Sequence, residues 1–189
     1  RRPYTLSCSP KYALENKYTI TIKRVKDGIV SNYFLDEIEE GDSFTVSAPA
    51  GNFCYSSLRD ANHVIALAGG SGITPFVSMA EAIYDGIEDF ELTILYGAKT
   101  KNDLIMREKL EDITCKLEKV NLVYILSEED DNEFTNGYID KNIIEQYLKE
   151  ENSFFVCGSV GFYNYMNDVL KEFDLPKKYI RHDLFMGEI

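Results

Sequence analysis

Val64-Ile65-Ala66-Leu67-Ala68-Gly69-Gly70-Ser71-Gly72-Ile73-Thr74-Pro75-Phe76 decides how this chain of 189 residues is read. Its first five residues are an unbroken apolar run, the signature of a strand buried on both faces. Three glycines follow, and the chain restarts as a helix at Thr74-Pro75. Threonine at the N-cap with proline after it is a helix-start signal: the hydroxyl takes up an orphan amide, and proline has no amide to satisfy. Phe76, Val77, Ala80, Ile83 and Tyr84 then recur on one helical face, and Asp85-Gly86 supplies the stop. A glycine turn between a strand end and a helix N-terminus suits an anion, because bare amides and the helix dipole both point at it. The same turn also serves as a plain strand-to-helix connection with no ligand.

Working outward, strands are predicted at 63–68, 91–96, 120–126 and 153–157, with a short last one at 179–182. Helices fill the gaps at 74–85, 102–117, 140–150 and 161–173, with Asn102 or Asp103 and then Asp140 as caps. Repeating strand–helix units give a parallel five-stranded sheet with right-handed crossovers and helices on both faces. Ligands of such a sheet sit beyond the carboxyl ends of its strands. Those ends read Ala68-Gly69-Gly70, Tyr96-Gly97-Ala98, Leu126-Ser127-Glu128 and Cys157-Gly158-Ser159. Glycine at three of the four suggests that something approaches the backbone along that edge. The turn is not G-x-G-x-x-G, since Pro75 stands at the last glycine's place, and no G-K-[ST] follows it. That sets aside a plain dinucleotide fingerprint and a P-loop.

Before residue 60 the texture changes to strands and turns. Tyr4–Ser7, Tyr18–Val25 and Asp42–Ala48 alternate or are β-prone, Ser31 opens one or two helical turns, and Pro49-Ala50-Gly51-Asn52 reads as a turn. The chain therefore divides near residue 60, into 1–60 and 61–189.

A net charge of −12 excludes nucleic acid and anionic membrane surfaces as partners, and no apolar run is long enough to span a bilayer. Cys8, Cys54, Cys115 and Cys157 are dispersed, and with only His63 and His182 beside them they make no metal site. Dispersed thiols without a secretion signal fit a reducing cytoplasm.

Six segments in order resemble the ferredoxin–NADP reductase-like flavoproteins. Arg2-Pro3-Tyr4-Thr5 is similar to R-x-Y-S/T, Gly28-Ile29-Val30-Ser31 to G-x-V-S, and Pro49-Ala50-Gly51-Asn52-Phe53 to P-x-G-x-F. Gly69–Pro75 is similar to G-G-x-G-x-T-P, Leu95–Lys99 to a Y-G-A-R segment, and Cys157-Gly158-Ser159 with Met166 to C-G-P…M. The resemblance implies an NAD(P)-binding α/β domain preceded by part of an antiparallel β-barrel flavin domain, the barrel's earlier strands lying outside this chain. It implies FAD and NADH or NADPH as cofactors. It further implies a redox partner, or a linked iron–sulfur domain, as electron acceptor outside the chain.

The resemblance also implies roles for particular residues. Arg2 would meet the flavin pyrophosphate, Pro3 would shape that segment, and Tyr4 and Thr5 would contact the isoalloxazine. Gly28, Val30, Ser31 and Asn32 would cradle the flavin phosphates. Gly69, Gly70, Gly72, Thr74 and Pro75 would hold the second dinucleotide. Cys157 and Gly158 would sit where nicotinamide meets flavin, and Asp183 and Phe185 would close over the flavin edge. Tyr4, Thr5 and Cys157 are the catalytic candidates, and no metal is implied. Ser159 replaces the proline of C-G-P, and Asp183 is a methylene shorter than the usual glutamate. Lys99 suits a 2′-phosphate, while Glu128-Glu129-Asp130-Asp131, read as a solvated loop, repels one and favours NADH. Two other readings stand beside this one: a nucleotide-binding regulatory subunit without a working flavin site, and a flavodoxin-like FMN domain. The latter leaves both glycine turns and the β-rich first third unexplained.

Overall fold

The computed structural model describes residues 2–173 and 175–185. Helix α1 (Pro10–Leu14) and helix α2 (Ile29–Asp36) lie in the first sixty residues. Strand β1 (His63–Gly69) then leads through a 3₁₀ turn (Gly70–Ile73) into α3 (Thr74–Tyr84). Strand β2 (Glu91–Ala98), helix α4 (Arg107–Lys116), β3 (Val120–Leu126), β4 (Thr135–Asn136), α5 (Lys141–Glu145), β5 (Ser153–Ser159), α6 (Val160–Lys171) and β6 (Ile180–Phe185) complete the chain.

The sheet order is β4-β3-β2-β1-β5-β6, with every pairing parallel. It has six strands rather than five. The extra one, β4, is two residues long and pairs only Ile125–Thr135 and Leu126–Asn136, too short to leave a periodic signal. β1 lies in the middle, and its residues from His63 to Ala68 are all buried.

Alternation along the strands sorts the core into two layers. Val64, Ala66, Ala68, Leu92, Ile94, Tyr96, Phe155 and Cys157 face α3 and α4. Ile65, Leu67, Leu95, Phe154 and Val156 face α5 and α6. Met106, Leu110, Ile113 and Leu117 pack in the first layer as their spacing predicts. Tyr84 differs: it is 47% exposed and lies under the Lys116 ammonium.

The caps follow the sequence in part. Asp140 accepts from the Ile143 amide at 2.9 Å and starts α5. Thr74 does not cap α3; it is the helix's first residue, and its hydroxyl donates back to the Ser71 carbonyl at 3.1 Å. The hydroxyl thus ties the glycine turn together, and no side chain caps α3, whose first amide already donates to the Ser71 carbonyl. Neither Asn102 nor Asp103 caps α4, which starts at left-handed Met106. Asp103 instead completes a capping box with Thr100 around a separate 3₁₀ turn.

The first sixty residues depart most from expectation. Of the predicted strands, only a single antiparallel bridge forms, between Leu6 and Ile20. Residues 42–48 form no strand and are wholly exposed, and residues 49–52 form no regular turn, with Gly51 at φ 126°. β-prone sequence needs a neighbouring strand to complete a ladder, and among the described residues these segments have none. What holds them is contact with the sheet domain. Phe53 sets its ring 5.9 Å from Phe76 and 5.3 Å from Phe155, and Tyr55 stacks on Phe90 at 3.9 Å. Asp60, with no exposed side-chain surface, pairs with Arg59 at 2.7 Å and with Arg181 of β6 at 2.9 Å. Among the described residues, no helix is long and apolar enough to cross a membrane.

Candidate functional site

The carboxyl edge of the sheet gathers most of the expected nucleotide residues. Gly69 pairs in register with Gly97, Ala68 with Cys157, and Cys157 with Asp183. Gly69, Gly70, Gly72, Thr74, Pro75, Cys157, Gly158 and Asp183 therefore share one edge across β1, β5 and β6.

Much of the glycine pattern there has a structural cause that the sequence does not reveal. A Cβ on Gly69 would lie 2.5 Å from the Phe162 ring, and one on Gly158 would lie 2.7 Å from the same ring. The first turn of α6 thus lays one phenyl ring under two strand ends. A Cβ on Gly72 would meet the Cys157 carbonyl oxygen at 2.1 Å, backbone against backbone. Gly70 is different: it is left-handed at φ 54°, and nothing lies within 4 Å of the place a Cβ would take. The space a side chain of Gly70 would take is open, and no side chain caps either the 3₁₀ turn or α3. A glycine turn at the dipole end of a helix, with free space at Gly70, suits a pyrophosphate, so the residues present fit a dinucleotide.

Cys157 is fully buried, and its side chain belongs to the layer that also receives Phe53. The first sixty residues therefore dock on the sheet face to which the thiol points. Burial, with Asp183 beside it, pushes the thiol well above its usual range, so it stays protonated at neutral pH. Burial also raises the Asp183 carboxyl, an effect opposed by the Leu184 amide. The alternation of β6 sends His182 to the other face, where its ring sits 5.1 Å from Tyr163 of α6. Ser159, at the proline's position, caps α6 by accepting from the Phe162 amide at 3.3 Å. Phe185 is placed on β6 by its backbone, and its side chain lies outside the described residues.

The expected flavin residues form a second group. Gly28 is the N-cap of α2 and makes no side-chain cap bond, so the amides of Ile29, Val30 and Ser31 are first-turn donors. The Ser31 hydroxyl does not join them. It accepts from the Val25 amide at 3.2 Å and braces the bend, and a Cβ on Gly28 would meet it at 2.7 Å. The Asn32 carboxamide is also engaged, taking a 3.1 Å bond from Arg24, which pairs with Asp36. These first amides with a nearby guanidinium fit phosphate groups. Arg2 and Pro3 are exposed, Thr5 is half-buried, and the Tyr4 ring meets Phe34 edge-on at 6.1 Å. Among the described residues, no hydrogen bond or ring contact joins Tyr4 or Thr5 to Cys157; the two groups are linked through Phe53 and the buried Ser7–Ser9.

Phe162, Asp60, Arg181 and Glu81 are absent from the sequence-based site. Only Glu81 left a trace: with Ser78 and Asp85 it makes a polar edge at helical spacing on an otherwise largely apolar segment.

Residues 66–168 match the family "Oxidoreductase NAD-binding domain", and residues 1–55 match "Oxidoreductase FAD-binding domain". A flavohemoprotein of Bacillus thuringiensis subsp. konkukian is 30% identical over 97% of this chain and 48% of its own length. A glycine betaine monooxygenase reductase subunit of Chromohalobacter salexigens is 29% identical over 90% of this chain and 47% of its own. The chain thus spans about half the length of these curated relatives. The FAD/NAD-binding domain of the Vibrio cholerae nitric oxide dioxygenase superposes with a TM-score of 0.83 at 23% identity, covering 97% of this chain and 76% of that one.

Proposed function

Because the chain belongs to the ferredoxin–NADP reductase-like family of FAD- and NAD-binding oxidoreductases, we propose that it takes hydride from a nicotinamide dinucleotide and passes electrons singly to an acceptor outside residues 1–189. The observation that carries this reading is the docking of the flavin-motif segment, through Phe53, on the face to which the Cys157 thiol points. Bound FAD and NADH supply the redox chemistry; the chain holds them and keeps water away.

In this reading Arg2 and the first amides of α2 neutralise the flavin phosphates. Tyr4 covers the ring system and Thr5 offers a hydroxyl beside it. The Gly70 turn, braced by Thr74, takes the second pyrophosphate. Cys157, kept neutral and small, fills the contact zone without competing for a proton. Residues 1–60 act as the flavin side and 61–189 as the nucleotide side. The relatives' names point to haem and oxygenase components, so the acceptor is a haem, oxygenase or iron–sulfur partner.

NADH is the proposed donor. Lys99, the candidate for a 2′-phosphate, is paired with Glu128 at 2.7 Å, and Glu129 holds the Lys101 amide at 2.7 Å. The acidic run thus closes over the loop a 2′-phosphate would need and is more than a solvated bend. Anaerobic mixing of the FAD-loaded protein with NADH tests the proposal. Rapid bleaching of the yellow flavin, faster with NADH than with NADPH, is expected. A protein that binds nucleotide yet stays yellow, or never retains flavin, would instead be a regulatory nucleotide-binding module.

A further inference from the structure

We propose that Glu81 is a positioning residue, which fixes the Arg2–Thr5 segment against the same helix that carries the nucleotide turn. The inference rests on the hydride-transfer reading only for its consequence in catalysis; the contact itself stands on geometry.

Helix α3 presents Ser78, Glu81 and Asp85 along one edge, and each is tied to residues 8–11. The Ser78 hydroxyl donates to the Cys8 carbonyl at 2.7 Å, and the Ser9 amide donates to Glu81 Oε2 at 2.8 Å. Lys11 Nζ meets Asp85 Oδ1 at 3.2 Å on the surface. The middle contact is the protected one. The Glu81 side chain is only 10% exposed, and its other oxygen pairs with Lys109 Nζ of α4 at 2.6 Å. A buried backbone amide without an acceptor is costly, so Glu81 determines where Ser9 can rest.

Ser7, Cys8 and Ser9 are buried at 0%, 6% and 1% exposure, far deeper than most of the first fifty residues. The segment is clamped from its other side as well. The Ser7 amide donates to the Thr19 carbonyl at 2.8 Å, and the Ser9 hydroxyl caps α1. Thr5 lies four residues before Ser9, a span of at most about 14 Å of chain. At the other end, Thr74 lies seven residues before Glu81, about 10 Å along the helix. One rigid helix therefore sets the separation between the expected flavin contacts and the nucleotide turn. Hydride transfer is acutely sensitive to such a separation.

The test uses the full-length FAD-loaded protein with Glu81→Ala, Glu81→Gln and Ser78→Ala. Two quantities are read: amide exchange at Ser7–Ser9 without nucleotide, and the limiting rate of flavin bleaching at saturating NADH alongside the NADH Kd. Glu81→Ala is expected to speed exchange at Ser9 about tenfold. It should lower the limiting rate about tenfold or more, with the Kd essentially unchanged. Glu81→Gln keeps an oxygen for the Ser9 amide and should recover most of both. Ser78→Ala, a milder cut that remains readable if Glu81→Ala does not fold, should slow bleaching about threefold at constant Kd. Unchanged Ser9 exchange in Glu81→Ala, or a rate loss explained by weaker NADH binding, would overturn the assignment, as would no response to Ser78→Ala. If the wild-type flavin is not reduced by NADH at all, the functional reading falls, and Ser9 exchange alone decides the positioning role.

Discussion

From His63 to Ala68 every residue is buried, whereas from Gly41 to Asn52 every residue is exposed. Asp42–Ala48 within the second stretch is as β-prone as the first, so propensity does not explain the contrast. β1 has β2 and β5 on its two sides and helices on both faces, so each of its residues gains a ladder bond or a packed surface. Residues 41–52 have no ladder partner among the described residues; Phe44 meets Phe34 edge-on at 5.2 Å yet stays 53% exposed, and Val46 is 75% exposed. A strand is stabilised by its neighbours more than by its own composition. The nucleotide side thus coheres through continuous packing, and the flavin side through a few discrete ties: Phe53, Asp60, Glu81 and Ser78.

The sharpest way to break this comparison is Gly72→Ala. Its Cβ would land on the Cys157 carbonyl, which as backbone cannot rotate away, so a loss of about 3 kcal/mol or more is expected, with little folded protein recovered. Gly51→Ala, left-handed but with open space around it, should cost far less. Thermal melts of the two variants decide, and equal losses would mean the two regions are not packed differently.

Phe53→Ala comes next. Removing a half-buried ring from between Phe76 and Phe155 should cost about 2 kcal/mol. The loss should appear as faster proteolysis within residues 1–60 while the sheet core resists. Uniform proteolysis of both regions would show that they unfold as one unit.

A smaller effect concerns pH. His63, buried at the start of β1, bonds the Asn152 side-chain oxygen at 2.8 Å and the Thr93 hydroxyl at 3.0 Å. Burial lowers its pKa, with Asn152 opposing and Lys149 assisting. The unfolded imidazole titrates near 6.5, above the folded one. Stability is therefore full above about pH 6.5 and falls as pH drops toward the folded value, because the unfolded chain binds the proton first. His63→Gln should flatten this acid limb in Tm measured against pH, and an unchanged limb would place its cause in the carboxylates.

The smallest effect sharpens the contrast from the other side. The Arg24–Asp36 pair has two hydrogen bonds, but its side chains are 52% and 50% exposed. Asp36→Asn should leave Tm unchanged, since solvent screens such pairs. A clear drop would make surface charge a real support of the flavin side.

The sequence by itself determined most of the succession of strands and helices after residue 60, their parallel arrangement and the glycine turn before α3; it also placed a short helix after Gly28, which starts at Ile29 and not at Ser31. Those features are local: alternation, helical spacing, glycine and cap chemistry act over a few residues. The tertiary structure alone decided what the glycines face. Gly69 and Gly158 give way to the Phe162 ring and Gly72 to the backbone of β5. It also decided that Thr74 ties the turn instead of capping the helix, that a two-residue strand joins the sheet, and that Glu81 reaches Ser9 across 72 positions of sequence. These depend on which distant segments meet. A segment's own pattern says that a face must be covered, and only packing says by what.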